Sequence, residues 1–327
     1  MLTPKISWLP ISSHKLMEKY LKPSLLGPLE EYLNRPKKEI RRQLVELGFK
    51  WAQKINKGSL KISKKNLSVL CQILEAVHAG SLIVDDIQDG SPVRRGQPSY
   101  HRLHGLPLAI NSGNWLYFWA FKKAKDLSLS NPRKNMIITV LLDTLFEGHL
   151  GQALDIGTKI TDVPRDEIAN ISFSTMRFKT GALTGLALFS GAIIGGMALS
   201  KARKVLETGR EFGLLLQIID DLKNLKLSKN KIYDPKLFED LRNYRPGYLW
   251  AFAAQRCSDK QLRQLVKATH DIENISKIRD WLVNLNFFTK ALRDFKKKKD
   301  TLLAATPEMK TELQSLISQL ELAYEKS

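Results

Sequence analysis

The stretch SLIVDDIQDGSPVRRG, Ser81 to Gly96, is an apolar run that ends in three carboxylates and is followed by two arginines. If the run is helical, Asp85 and Asp89 stand four residues apart on one face, with Asp86 beside them. Crowded carboxylates repel one another unless a cation lies between them. A hard ion of the Mg²⁺ type takes oxygen ligands from one or two carboxylates and from phosphates. The pattern predicts a metal site, and a solvated acidic helix end is the alternative.

The two arginines that follow suggest what the metal would hold. Arg94 and Arg95 come directly after the turn Gly90-Ser91-Pro92, and guanidinium groups are well suited to phosphate oxygens. The carboxylates interrupt an apolar run instead of lying on a polar face, which favours a functional site over a solvated helix end. The stretch therefore predicts a site for a metal ion and a diphosphate.

A second acidic cluster closes another apolar helix. Residues 217–224 read QIIDDLKN, and Asp220 and Asn224 are four residues apart, so their oxygens share a helix face. An ordinary helix end is the alternative for this cluster taken alone. Two such helices facing each other across a cavity could hold a diphosphate between metal ions.

The charge balance favours anionic partners. The 327 residues include 52 Lys and Arg against 33 Asp and Glu, a net charge of +19. Nucleic acid, an anionic membrane and a phosphorylated small molecule all fit this charge. The basic residues are scattered and only Lys296 to Lys299 form a run, with no zinc-finger, basic-zipper or RNP pattern. We therefore expect no nucleic-acid partner.

Cysteine usage and hydropathy bear on location. Cys71 and Cys257 show no CxxC spacing and the N-terminus lacks a signal-peptide pattern, so we expect a reducing compartment, the cytoplasm. Thr180 to Ser200 is uncharged and long enough to span a bilayer. Its five glycines also suit a buried helix in a large helical protein. We expect the buried helix and no transmembrane segment.

Helical periodicity runs through the chain, and strand signals are nearly absent. The spacing predicts helices over 40–55, 65–89, 108–127, 133–154, 165–178, 181–199, 201–225, 249–256, 275–297 and 308–324. No repeat, linker or composition shift marks a boundary. The fold class is therefore all-α, with one domain over residues 1–327.

Several motifs in order resemble one family, the trans-isoprenyl diphosphate synthases, and within it the eukaryotic-type geranylgeranyl diphosphate synthases. The matching segments span roughly Tyr32 to Arg245 and are HAGSLIVDDIQDGSPVRRGQP (78–98), INSGNWLYF (110–118), GHLGQALD (148–155), KTG (179–181), QIIDDLKNL (217–225) and KLFEDL (236–241). The resemblance implies the isoprenoid synthase (class I terpenoid synthase) fold, a helical bundle around a central cavity, and a homodimer.

The resemblance also implies a reaction, the Mg²⁺-dependent condensation of isopentenyl diphosphate with an allylic diphosphate (dimethylallyl, geranyl or farnesyl diphosphate). By this resemblance Asp85, Asp89 and Asp220 bind Mg²⁺, and Asp86 and Asp221 support them. Arg94, Lys179 and Lys236 add positive charge for the allylic diphosphate, and Arg245 can stand as a charge for the lysine of the family's EGKxSFP segment. Lys38, Arg41, His78 and Arg95 match the isopentenyl diphosphate site, and Thr180 and Gln217 match polar residues that line the carbocation region.

Product length is expected to depend on the floor of the cavity. Gly80 and Ser81 lie about one helical turn before Asp85, and their small side chains leave the pocket open there. Tyr117, Phe118 and His149 match positions that form a deeper floor in the geranylgeranyl-forming relatives. A twenty-carbon product is therefore favoured.

Some positions depart from the family pattern. Lys37 stands where glycines are usual, Leu150 replaces an arginine, Ala153 replaces a glycine, and Arg242 to Trp250 departs from EGKxSFP around Pro246-Gly247. These changes keep a second reading open, a class I terpene synthase that ionises and cyclises an allylic diphosphate. A third is a non-catalytic partner subunit of a prenyl synthase, against which the intact aspartates argue. A fourth is a basic protein of the membrane periphery.

Overall fold

The fold is built from helices, which confirms the predicted all-α class. The computed structural model describes residues 19–36, 39–58, 62–226, 239–270 and 275–326. In chain order the α-helices are α1 (Gly27–Asn34), α2 (Ile40–Ile55), α3 (Lys64–Gln88), α4 (Tyr100–His104), α5 (Leu106–Ala124), α6 (Asn131–Gly157), α7 (Arg165–Met176), α8 (Ala182–Ile194), α9 (Leu199–Leu225), α10 (Glu239–Arg242), α11 (Tyr248–Arg256), α12 (Asp259–His270), α13 (Ile275–Asn284), α14 (Phe287–Ala305) and α15 (Lys310–Glu325).

Shorter elements join these helices. An antiparallel pair of two-residue strands, β1 (Val93–Arg94) and β2 (Gln97–Pro98), follows α3. One π-helical turn, Lys22–Leu26, precedes α1, and a second, Arg177–Gly181, joins α7 to α8. Turns of 3₁₀ helix lie at Ile160–Asp162 and Pro307–Met309.

The packing divides the chain into two compact units. The first comprises Met1–Gln43 and Ser63–Ile138, and the second Leu44–Ile62 and Thr139–Ser327. In the first unit α3 packs along α5, and the two helices approach closely where Gly80 faces the carbonyl oxygen of Gly113. The single domain over residues 1–327 stays a prediction.

In the second unit α8 is the central helix, buried along nearly its whole length. A Cβ atom at Gly191 would lie 2.0 Å from the carbonyl oxygen of Val45, and one at Gly48 would lie 1.9 Å from that of Leu188. The glycines of the uncharged run thus serve close helix packing, as expected for a buried helix. The run is not one helix to Ser200, because α8 ends at Ile194 and Gly196 adopts a left-handed φ of +89°.

Helix α3 is apolar over a long stretch. Among the described residues α3 is long and apolar enough, by length and composition, to cross a bilayer, and 56% of its most apolar window is buried inside the protein.

The C-terminal helices differ from the prediction. The sequence predicted one helix over 275–297, but α13 ends at Asn284, and α14 begins at Phe287 and continues to Ala305. Asn286 makes the break with a left-handed φ of +50°. Helix α12 was not predicted at all. Its buried face consists of few residues, chiefly Leu265 and Ala268, and the rest of the helix is polar.

We predict that Gly191→Ala lowers the free energy of unfolding by roughly 2 kcal/mol, because the new methyl group meets backbone atoms that no rotamer change can move away. Gly157→Ala is the control, since a Cβ there has no neighbour within 4 Å. The two unfolding free energies, measured by chemical denaturation, test this prediction. Equal effects of the two substitutions would show that the close approach of α8 to α2 is not a stability constraint.

Candidate functional site

In the first unit, the last turn of α3 is tied to the β-hairpin by a buried ion pair. Asp86 is fully buried, and its Oδ1 accepts a hydrogen bond from Arg94 Nε at 2.8 Å. Arg94 Nη2 also lies 2.5 Å from Asp86 Oδ1 and 3.2 Å from Asp85 Oδ2. Burial disfavours the arginine cation, but the bonds to Asp86 outweigh this effect and raise the pKa of Arg94. Arg94 therefore neutralises two of the three clustered aspartates.

The side chain of the neighbouring arginine, Arg95, lies beside a different carboxylate, that of Glu75. Arg95 has a left-handed φ of +56°, a conformation that non-glycine residues seldom adopt. Its Nη2 lies 3.5 Å from Glu75 Oε1, while Arg41 Nη2 lies 2.8 Å from Glu75 Oε2. All three side chains are only 12–13% exposed. His78 follows Glu75 by three residues on α3, so it belongs to the same helix face.

A tyrosine and an arginine of the α1 region support the hairpin. Arg35 donates to the carbonyl oxygen of Pro98 at 3.0 Å and forms a two-point ion pair with Glu31. The Arg35 guanidinium lies over the Tyr32 ring, 4.9 Å from its centroid. Burial, with the nearby Asp86 charge in support, raises the pKa of Tyr32 to about 12. The hairpin that carries Arg94 and Arg95 is thus held from two sides.

In the second unit, the π-helical turn presents the Lys179-Thr180 pair. A single-turn π-helix inside an α-helical segment is frequent at functional sites. Lys179 Nζ lies 2.5 Å from Asp155 Oδ2, and Arg245 Nη1 lies 4.0 Å from the same oxygen. Gly151 lets α6 approach this turn, since a Cβ there would lie 2.8 Å from the backbone nitrogen of Lys179. One buried carboxylate therefore holds two cations together.

A chain of hydrogen bonds continues from Thr180 to the second acidic cluster. Thr180 Oγ1 donates to Gln217 Oε1 at 2.5 Å, and Gln217 Nε2 donates to Asp221 Oδ1 at 2.7 Å. Asp221 Oδ2 accepts the backbone N–H of Tyr248 at 2.9 Å. Asp221 is therefore engaged within the protein, whereas Asp220 is 38% exposed and lies 3.6 Å from Lys223.

The predicted metal ligands are acidic oxygens with some exposure. Asp85 is 22% exposed, and Asp89 ends α3 one turn later with its N–H bonded to the Asp85 carbonyl oxygen. Within the described residues no group of three or more His, Cys, Asp and Glu side chains forms a metal site by itself. The donor set fits a hard divalent ion of the Mg²⁺ type, because such an ion takes one or two carboxylates and completes its shell with phosphate and water.

Among the residues predicted to set chain length, Gly80 and Tyr117 lie beside each other where α3 and α5 cross. The space beside Gly80 is not open, because a Cβ there would lie 2.9 Å from the Gly113 oxygen and 3.0 Å from the Tyr117 ring. The small size of Gly80 serves the crossing of α3 and α5. Burial, and to a smaller extent the Asp85 charge, raises the pKa of Tyr117.

The other three residues of this set are exposed. Phe118 is 74% exposed, and Ser81 donates to the His78 carbonyl oxygen. In the second unit the exposed His149 contacts the Leu145 oxygen through Nδ1 at 2.7 Å. Phe118 is therefore not part of the core of its unit.

Two residues at these sites had no role in the sequence-based prediction. Glu75 could have been found as a carboxylate on an apolar helix, one turn before His78. Asp155 ends the GHLGQALD segment, but nothing in the sequence indicated that Lys179 and Arg245 would share it. The predicted binding residues Lys38 and Lys236 lie outside the described residues, as does Lys37.

The all-helical architecture, with aspartate clusters closing α3 and α9, is that of the isoprenoid synthase class. The profile of the polyprenyl synthetase family matches residues 22–284, and the chain belongs to this family.

Individual relatives agree with this assignment. The chain is 34% identical to geranylgeranyl pyrophosphate synthase 2 of Zymoseptoria tritici over 201 residues, 62% of this chain and 56% of that protein. It is 32% identical to a copalyl diphosphate synthase of Talaromyces verruculosus over 213 residues, 62% of this chain and 19% of that protein. The chain thus spans about half of the first relative and a fifth of the second. A solved geranylgeranyl pyrophosphate synthetase from Pyrococcus horikoshii has a similar fold, with a TM-score of 0.73 at 22% identity over 94% of this chain and 95% of that one.

We predict that Asp86→Asn lowers the free energy of unfolding by about 3 kcal/mol, because it leaves the Arg94 cation without its buried counter-charge. Asp220→Asn, at a more exposed carboxylate, should change it by less than about 0.5 kcal/mol. Chemical denaturation of both variants measures the difference. If Asp86→Asn were as stable as the parent protein, the hairpin would not depend on this ion pair.

Proposed function

We propose that this protein is a Mg²⁺-dependent prenyltransferase that joins isopentenyl diphosphate to an allylic diphosphate, with geranylgeranyl diphosphate as the favoured product. The observation that carries the proposal is the divergence of two consecutive arginines. Arg94 pairs with the aspartate cluster, whereas Arg95 turns to Glu75 and Arg41. Two separate cationic positions, Arg94 alone and Arg95 together with Arg41 of α2, suit a reaction with two diphosphate substrates.

Asp85, Asp89 and Asp220 would hold the metal ions. Asp86 is buried against Arg94, so its role is to fix the helix end rather than to bind a metal. When bound, Mg²⁺ supplies Lewis acidity that stabilises the departing pyrophosphate of the allylic substrate. In this arrangement Arg94 both shields the like charges of the aspartates and offers donors to a phosphate.

The second unit would hold the leaving group with cations that are already in position. Lys179 and Arg245 share the Asp155 carboxylate, which fixes both side chains before a ligand arrives. The hydroxyl of Thr180 and the amide of Gln217 would turn their dipoles to the allylic cation formed when the C–O bond breaks. The double bond of isopentenyl diphosphate would then attack this cation to form the new C–C bond. The released pyrophosphate would accept the proton whose loss leaves a new C=C double bond in the longer prenyl diphosphate.

We also propose a homodimer. In the first unit α5 exposes Leu106, Ile110 and Phe118, and in the second unit α6 exposes Leu142, Phe146 and Leu150 at four-residue spacing. Large apolar side chains in rows along a helix are typical of protein interfaces. A second copy of the chain is the partner that the family resemblance implies.

Turnover assays test the proposed reaction. The protein is incubated with Mg²⁺, with and without isopentenyl diphosphate, and with dimethylallyl, geranyl or farnesyl diphosphate in turn. Products are separated by gas chromatography before and after phosphatase treatment. We expect a twenty-carbon alcohol only after phosphatase, only with isopentenyl diphosphate, and not from the Asp85→Asn or Asp89→Asn variants.

The other readings give different results. A hydrocarbon formed without isopentenyl diphosphate would replace the proposal with a class I terpene synthase, a reading favoured by Pro246-Gly247 at the site. A protein that turns over none of the three substrates, yet binds and alters an active synthase, would be a partner subunit.

We predict that Phe146→Glu shifts the protein from dimer to monomer in light scattering coupled to size exclusion, because burying a carboxylate in an apolar interface is costly. The control Val283→Glu changes an equally exposed side chain on α13 and should leave the dimer intact. A parent protein that is monomeric at all concentrations would disprove the proposed dimer.

A further inference from the structure

Exposed cations follow the outer faces of α12 and α14 with the same spacing. On α12 they are Lys260, Arg263 and Lys267, and on α14 they are Lys290, Arg293 and Lys297, in both cases at positions i, i+3 and i+7. Residues at this spacing lie on one side of a helix. We call these six residues the basic stripes. Lys277 and Arg279 of the intervening α13 and Lys296 of α14 are exposed too.

The basic stripes differ from the other charged parts of the second unit. None of the six cations has an ion-pair partner within the part of the chain that the structure describes. Elsewhere in the unit, Arg177 pairs with Glu207 and Glu211, and Arg210 pairs with Glu147. Residues 139–226 contain ten basic and ten acidic residues, so their charges balance. The cations of the stripes are therefore available to an external anion.

The helices that carry the two stripes both pack against α13. Trp281 near the end of α13 donates its indole N–H to the Gln261 carbonyl oxygen at the start of α12. Burial raises the pKa of the Cys257 thiol, and the charges of Lys290 and Arg165 oppose this rise only in part. Lys290 therefore lies near Cys257, two residues before α12. The first cation of the α14 stripe is therefore near the N-terminal end of the α12 stripe.

We propose that the basic stripes dock this protein onto an anionic lipid surface. Each cation close to such a surface adds to binding, and the cations act together because the surface carries many charges. Val283 on α13, the helix that follows α12 and precedes α14 in the chain, is 67% exposed and adds an apolar side chain to this part of the surface. The proposal rests on the proposed function in one respect. Docking would help the proposed reaction because the long-chain prenyl product would be released beside a bilayer.

A lipid surface fits these helices better than a nucleic acid. Proteins that bind single strands combine cations with exposed aromatic side chains on which bases stack. Among the described residues of α12, α13 and α14, the large hydrophobic side chain that stands exposed is the aliphatic Val283. The pattern of cations without aromatic platforms therefore favours lipid over a single-stranded nucleic acid.

Vesicle sedimentation with the full chain tests the proposal. The probes are phosphatidylcholine vesicles with and without phosphatidylserine, at low and raised salt. The test variant is Lys260→Gln with Arg263→Gln and Lys267→Gln. Its matched control is Lys201→Gln with Arg203→Gln and Lys310→Gln, which removes equal charge from exposed positions elsewhere in the same unit. Circular dichroism verifies that both variants are folded.

We expect binding only to the anionic vesicles and loss of binding at raised salt. Each cation removed from a stripe should weaken partitioning about fivefold, so the triple variant should lose roughly a hundredfold. The control should lose far less. Binding should persist in Asp85→Asn, which separates this proposal from the proposed reaction.

Three results would overturn the proposal. The first is no binding of the parent protein to anionic vesicles. The second is an equal loss in the stripe variant and its control, which would assign the effect to net charge alone. The third is stripe-dependent binding to single-stranded RNA without binding to vesicles, which would make the partner a nucleic acid.

Discussion

The first unit depends on the buried ion pair between Asp86 and Arg94. An isolated charge at the end of α3 would be costly to bury, and three neighbouring carboxylates would repel one another. Arg94 removes both problems because it contacts Asp86 at full burial and Asp85 at the edge. The pair also fixes the direction in which the chain leaves α3. The next residue, Arg95, adopts a left-handed conformation, and its side chain lies beside Glu75 instead of the aspartates.

In the second unit, close contacts between backbones determine where the polar side chains lie. Gly151 and Gly213 allow α6 and α9 to approach the π-helical turn, where side chains would clash with its backbone. The extra residue of a π-helical turn changes the direction of the side chains that follow. Lys179 reaches Asp155, and Thr180 reaches Gln217 on α9. The packing of small residues thus determines where the polar groups lie.

Much of the fold could be predicted from the sequence, because apolar periodicity directly reports buried helix faces. The boundaries of α3 and α9 follow the prediction within about a residue or two, and the glycine-rich run is a buried helix. The break at Asn286 was missed because the apolar spacing continues across it.

Within the sites, the acidic clusters and their neighbouring cations were visible as local motifs. Glu75 and Asp155 were assigned no role, because a shared counter-ion is defined by residues far apart in sequence. Gly80 was misread for a related reason. A small residue beside a motif suggests space, and only the packing of α5 reveals that this space is filled.

Tyr244, in the second unit, has an uncommon backbone conformation. Tyr244 adopts a left-handed φ of +54°, with its carbonyl oxygen bonded to the Ile160 N–H and its ring beside Trp250 and His270. A non-glycine residue in this conformation costs about 1 kcal/mol. This cost falls on folding and not on binding. Arg245 follows directly, and its buried side chain has its Nη1 4.0 Å from Asp155 Oδ2, which restricts its position without a bound anion. An anion that binds there loses little affinity to the conformational entropy of the arginine side chain.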